Sequence, residues 1–252
     1  MVALLELVSY TDRLLDSAAF ADYCPNGLQV EGRAQVRRLI SGVSASRALI
    51  EAGIAAGADL LLVHHGYFWK GEDPRITGMK RARLAALLGA QMSLMAYHLP
   101  LDAHPELGNN AQLARRLGLE VAGRFGHGPG PAVGCRGRLE PGLAPAVLAQ
   151  RITEVLGRAP LHVPGRADSI RTVAWCSGAA QSYIEEAAAL GVDAYLTGEV
   201  SESTVHVARE TGMHFFAAGH HATERYGVQA LGAHLAGRFS LEHEFVDIDN
   251  PA

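Results

Sequence analysis

The sequence predicts an α/β protein whose mainly parallel sheets are flanked by helices. Short apolar runs alternate with amphipathic segments along most of the chain, the order that βαβ units require. One strand-helix-strand unit occurs twice, as EAGIAAGADLLLVHHG (51–66) and EEAAALGVDAYLTGE (185–199), with Gly57 matching Gly191 and Asp59 matching Asp193. One unit further on, SLMAYHLPLD (93–102) parallels FFAAGHHATE (215–224), so that each copy ends in His-x-x-x-acid.

Each element has a local reason. Residues 2–15 carry Glu6 and Asp12 within an apolar pattern and no basic leader, which reads as an amphipathic helix rather than a signal peptide. DYCPNGLQVEG (22–32), with Pro25, Asn26 and Gly27, reads as a loop. A strand follows over 36–43 and a serine-capped helix over 44–58. Residues 59–63 form an apolar run typical of a buried parallel strand, ending at His64-His65-Gly66. A helix at 78–88 leads to a strand at 92–97, ending before His98, and a further helix covers 109–117. The Gly- and Pro-rich segment 123–142 is the expected domain junction, and Gly126 to Gly130 within it reads as a turn. Helices at 144–156, 179–190, 203–211 and 221–236 then alternate with strands at 170–175, 193–197 and 213–218. A last strand covers 240–248.

Composition excludes several classes. The 252 residues allow one or two domains. A hydrophobic fraction of 48% and a charged fraction of 19% are those of a globular protein. A net charge of −4 gives no electrostatic case for nucleic acid. Cys24, Cys135 and Cys176 form no Cys-x-x-Cys pair and read as buried thiols of a reducing compartment. No uncharged stretch approaches the roughly 18 residues that span a membrane, and the cytoplasm is the expected location. There is no Walker loop, Rossmann glycine fingerprint or Gly-x-Ser-x-Gly elbow.

The chemistry is expected in the twelve histidines. In open α/β sheets, ligands bind outside the carboxyl ends of the strands. His64-His65, His98 to Asp102, and His220 to Glu224 each follow directly after a predicted strand. Neighbours on a strand point to opposite sides, so His64 and His65 are expected to touch two ions rather than chelate one. His220 and Glu224 share one helical face, and the Glu224 carboxylate can bridge two cations. Asp102 adds negative charge. The expected site is therefore two divalent metal ions held by His64, His65, Asp102, His220 and Glu224, with water completing the shells. Nitrogen and oxygen donors suit Zn, Fe, Mn, Ni or Co, and open positions mark a catalytic site. His98 is either a ligand or a group that orients one. His104 and His221 are read as spectators. His127, His162, His206, His214, His234 and His243 receive no role.

At DYCPNGLQVEG, LLLVHHGYFW (60–69), AYHLPLDAHPELGNN (96–110), DAYLTGE and GHHATERYG (219–227), the chain resembles the Nif-three-like dinuclear-metal-centre family, whose members are often labelled GTP cyclohydrolase type 2 homologues. The resemblance implies two similar α/β domains, expected at 1–124 plus 214–252 and at 125–213. It places the family's metal ligands on the same five residues and implies a homohexameric ring. The label implies a hydrolase in which metal-activated water opens the guanine ring of GTP or acts on a related nucleotide. Arg75, Lys80, Arg81 and Arg83 are either phosphate contacts or a solvated basic face. The alternative to a hydrolase is a metal-binding regulatory or scaffold protein in a ring, with nucleic acid as a disfavoured partner.

Overall fold

The computed structural model describes residues 1–126 and 130–252. The expected turn at 126–130 includes His127, Gly128 and Pro129, which lie outside the described residues. The chain divides into two compact units, Met1–Leu101 with Gly227–Asp249, and Asp102–Tyr226 with Asn250–Ala252. The division differs from the expected one, which fell after residues 124 and 213. The reason is strand pairing: Glu120–Phe125 and His214–Ala217 both belong to the second unit's sheet.

The first unit has a five-stranded sheet ordered Glu242–Phe245, Arg38–Ser44, Leu60–His65, Ser93–Ala96, Gly27–Val30. The first four strands run parallel and the last is antiparallel. Gly27–Val30 lies in the segment expected to be a loop. Its sequence GLQV has no periodicity to announce it, and pairing with Ser93–Ala96 is what makes it a strand. The apolar runs are buried on both faces, with Leu60, Leu61, Leu62 and Val63 all fully inaccessible. Helices Arg47–Ala55 and Gly78–Gly89 cover the sheet through Leu49, Ile50, Leu84 and Leu87. Ser46 caps the first of these by accepting from Leu49 N (3.2 Å); the helix was expected from residue 44, but Ser44 ends the strand Arg38–Ser44.

The second unit has a six-stranded sheet ordered Glu120–Phe125, Gly134–Leu143, Ile170–Cys176, Ala194–Thr197, His214–Ala217, Leu161–Val163. Its centre is parallel and its flanks are antiparallel. The Gly- and Pro-rich segment expected as a junction contains the long strand Gly134–Leu143. The glycines are needed there: a Cβ on Gly137 would lie 2.0 Å from Glu120 O. One core cluster gathers Leu113, Ile152, Trp175 and Phe216, and another gathers Phe125, Ile184, Tyr195 and Phe215.

The internal repeat is visible in backbone hydrogen bonds. Asp59 N donates to Arg38 O and Asp193 N to Thr172 O, both at 3.0 Å. The Asp59 carboxylate accepts from Arg37 N and Arg38 N (2.9 and 3.0 Å), as Asp193 accepts from Arg171 N and Thr172 N (2.9 and 2.8 Å). Gly57 and Gly191 share a φ of +68°, where a side chain would be strained. Further along, Ser93 N donates to Asp59 O as His214 N does to Asp193 O, and Tyr97 N to Val63 O as Ala218 N does to Thr197 O. These bonds equate Tyr97 with Ala218, and hence His98 with Gly219. The two His-x-x-x-acid endings are therefore one residue out of backbone register, a correction to the alignment of His98 with His220.

Candidate metal centre

In the first unit, His64 and His65 end the strand Leu60–His65, and His98 follows the strand Ser93–Ala96. Parallel pairing of these strands brings their carboxyl ends together. The ring centroids of His64 and His65 are 4.6 Å apart, and His98 lies 5.1 and 5.7 Å from them. All three offer a ring nitrogen within 4.8 Å of the others. The strand ends at His65. Gly66 follows directly, where a Cβ would lie 2.2 Å from Gln29 Oε1 and 2.7 Å from the Ala96 side chain.

Each of the three rings is held through Nδ1. His64 Nδ1 donates to Tyr97 O (2.8 Å), and His98 Nδ1 donates to Asp22 Oδ1 (2.7 Å). His65 Nδ1 pairs with Ser44 Oγ (3.0 Å). A proton on Nδ1 leaves the lone pair on Nε2, the tautomer that a metal ligand needs.

In the second unit, His220 opens the helix His220–Phe239, with Glu224 one turn on. His220 Nε2 is 3.2 Å from Glu224 Oε2. That is close to the roughly 3.4 Å separating two ligands of one tetrahedral ion at about 2.1 Å bond length. His220 Nδ1 pairs with Glu199 Oε1 at 2.7 Å. Burial alone would depress the His220 pKa, but the hydrogen bonds and charges of Glu224 and Glu199 override it and raise it to about 9.

Gly178, with φ +67°, makes room for this pair: a Cβ on it would lie 2.1 Å from Glu224 Oε1. A Cβ on Gly198 would meet His220 Cα at 2.7 Å. Asp102 is buried and oriented within the same unit. Its Oδ1 accepts from Asn109 Nδ2 (2.8 Å) and Ser177 Oγ (3.0 Å). Asn110 Oδ1 in turn accepts from Ser177 N (2.9 Å), tying Asp102 to the end of the strand Ile170–Cys176.

Sequence reasoning named the five candidates and His98 but missed the residues that hold them: Asp22, Ser44, Asn109, Ser177 and Glu199. Glu199 carried a signal, since it closes the repeated DAYLTGE segment; the others had none. Five of the remaining histidines have local partners. His104 Nδ1 accepts from Glu106 N and Leu107 N (3.2 and 3.0 Å) in a turn. His162 stacks on Phe216 (4.4 Å between centroids) and bonds His214 (3.0 Å). His234 bonds Tyr10 and His243 bonds Ser41. Arg75 forks onto Asp73 (2.6–3.0 Å), and Lys80 pairs with Glu72 at 3.3 Å.

The profile of Duf34/NIF3 (NGG1p interacting factor 3) matches residues 2–251. The chain belongs to the Duf34/NIF3 family. A relative from Pseudomonas aeruginosa, named GTP cyclohydrolase 1 type 2 homolog, is 59% identical over 251 residues, covering 100% of this chain and 99% of its own length. One of the same name from Allochromatium vinosum is 56% identical over 252 residues, covering 100% of this chain and 98% of its own length. Among solved structures, protein ybgI, described as of unknown function, matches at 50% identity with a TM-score of 0.96 over 100% of both chains. TTHA1606 from Thermus thermophilus matches at 36% identity with a TM-score of 0.90, again over 100% of both chains. The mixed α/β architecture is thus that of NIF3 proteins, and the chain carries residue groups suited to binding metal. Among the described residues, no helix is long and apolar enough to cross a membrane.

Proposed function

We propose that this NIF3 protein is a metal-dependent hydrolase. His64, His65, Asp102, His220 and Glu224 are the residues that would hold two divalent cations. The observation that carries the reading is the anchoring of the site imidazoles. His64, His65, His98 and His220 all engage Nδ1 with an oxygen of the protein. A structural histidine uses whichever nitrogen is convenient; uniform Nδ1 anchoring presents Nε2 as the ligand.

Bound cations would supply Lewis acidity and lower the pKa of water. The protein's own residues would set up that chemistry. Asn109 and Ser177 hold Asp102, and Glu199 orients His220. The substrate is a nucleotide or related small molecule, and GTP is the first to test because relatives bear the GTP cyclohydrolase 1 type 2 homolog name. Arg75 pairs with Asp73 and Lys80 with Glu72, which supports reading these two side chains as part of a solvated basic face. The protein works in the cytoplasm as a homohexamer.

The test is metal analysis of the purified protein, followed by a hydrolase screen that includes GTP. Two ions per chain, with turnover abolished in Glu224→Ala and assembly intact, supports the reading. Bound metal with no turnover on any substrate favours a metal-binding scaffold instead.

A further inference from the structure

The internal repeat reaches one pair of positions further. Gly32 N donates to Ser93 Oγ and Gly165 N to His214 Nδ1, both at 3.0 Å. Arg33 N donates to Gln91 O (3.0 Å) as Arg166 N does to Gly212 O (2.8 Å). A Cβ on Gly32 would lie 2.4 Å from Gln91 O, and one on Gly165 would lie 2.6 Å from Gly212 O. Ser93 N and His214 N already mark equivalent places against Asp59 O and Asp193 O. Arg33 therefore corresponds to Arg166, and each arginine belongs with the aspartate of its own copy.

The two copies part at the side chains. In the first unit Arg33 Nη1 closes onto Asp59 Oδ1 at 2.9 Å. In the second, Arg166 and Asp193 line a cavity of about 400 Å³ together with Ala188, Val192 and Met213. Arg166 Nη2 reaches only Glu210 O, at 3.4 Å, and among the described residues no carboxylate pairs with it. Asp193 Oδ2 accepts three bonds, from Arg171 N, Thr172 N and Thr172 Oγ1 (2.8–2.9 Å). Its Oδ1 accepts none among the described residues.

His214 supplies a reason for the difference. The ring is only 3% exposed. Its Nε2 donates to Ala167 O (2.9 Å), which leaves Nδ1 to accept from Gly165 N. His162 stacks on it at 5.3 Å and 21°. The imidazole thus holds the residues on both sides of Arg166. Ser93, with one hydroxyl, holds only Gly32.

We infer that this cavity binds a small zwitterion of the α-amino acid class, its carboxylate on Arg166 and its ammonium on Asp193 Oδ1. The cavity lies at the amino ends of the strands Ala194–Thr197 and His214–Ala217, the opposite edge from His220. A plain anion would meet the Asp193 carboxylate, and a plain cation the Arg166 guanidinium. Only a ligand bearing both charges satisfies both walls. The planar guanidinium fork matches a carboxylate, and Val192 and Met213 offer apolar contact to the ligand's side chain. The volume falls in the range of roughly 300–1,000 Å³ usual for small-molecule sites. The inference does not depend on the metal-binding reading above.

Saturation-transfer NMR on the full chain, with the common L-amino acids as probes, tests it, and calorimetry then measures the tightest binder. At least one amino acid with an apolar side chain binds saturably. The matching amine, which lacks the carboxylate, and the matching 2-hydroxy acid, which lacks the ammonium, each bind about 10-fold or more weakly, as loss of a charged hydrogen bond implies. Arg166→Gln weakens the amino acid by a similar factor, while Arg33→Gln binds it as wild type does. Melting of each variant checks its fold, and the comparison of the three ligands needs only wild type. No binding by any amino acid overturns the inference. So does a 2-hydroxy acid or an amine that binds as tightly as the amino acid, an unchanged affinity in folded Arg166→Gln, or an equal loss in Arg33→Gln.

Discussion

A cation entering the second unit at neutral pH must displace a proton from His220. The ring lies between Glu199 Oε1 (2.7 Å) and Glu224 Oε2 (3.2 Å), which together raise its pKa to about 9 against the pull of burial. At pH 7 that is about two units of proton competition, or roughly 3 kcal/mol at 1.36 kcal/mol per unit. Apparent affinity at this position is therefore about 100-fold weaker at pH 7 than well above pH 9. It climbs about tenfold per pH unit between 7 and 9 and then flattens. Competition with a chromophoric chelator across pH 6.5–9.5, corrected for the chelator's own titration, reads the slope. Calorimetry in two buffers of different ionisation enthalpy reads the proton, with about one released per chain by His220. The sign for the metal-free protein is opposite. A folded pKa above the unfolded value of about 6.5 stabilises fully below that value, and this contribution is lost as pH rises through 9. Substituting Glu199→Gln removes one carboxylate and moves the whole profile to lower pH. An affinity that stays flat from pH 7 to 9, with no proton released, would refute the reasoning.

Three further outcomes are expected. Asp59→Ala and Asp193→Ala each remove bonds to two backbone amides at the start of a neighbouring strand, and each should cost roughly 2 kcal/mol in urea unfolding. The pKa of Asp59 is lowered because bonds from Arg38, Arg37 and Arg33 outweigh burial. Its contribution is present above about pH 4 and lost as pH falls further, so Asp59→Ala should flatten that acid limb. Gly178→Ala forces a side chain into positive φ and onto Glu224 Oε1. It should cost about 1–2 kcal/mol of metal-free stability and lower the bound metal, which elemental analysis would detect; full metal content would contradict the close approach. Chelation should lower the melting temperature, since an ion at 100 times its Kd stabilises by about 2.7 kcal/mol.

Legibility followed how local each signal was. The helix Asn109–Leu117 was readable to the residue and ends at Gly118 with φ +73°. The strands around His64 and His98 were readable because buried parallel strands are continuous apolar runs. Gly27–Val30 and Leu161–Val163, short edge strands, and Gly134–Leu143, an inner strand containing glycines, were not, because such segments become strands only through their partners. The domain limits failed for the same reason. Gly and Pro mark a break in local structure, whereas strand pairing decides which sheet a segment joins.

What the sequence determined by itself was chemistry and order: which side chains can bind a cation, and that each group follows a strand. A strand's carboxyl end is a local property, and so is the identity of the ligand that follows it. Only the tertiary structure decided tautomer and direction. The partners that set them come from far along the chain, Asp22 to His98 in one unit and Ser177 to Asp102 in the other. Hydrogen bonds between residues so distant in sequence exist only once the sheets have formed, and no local pattern announces them.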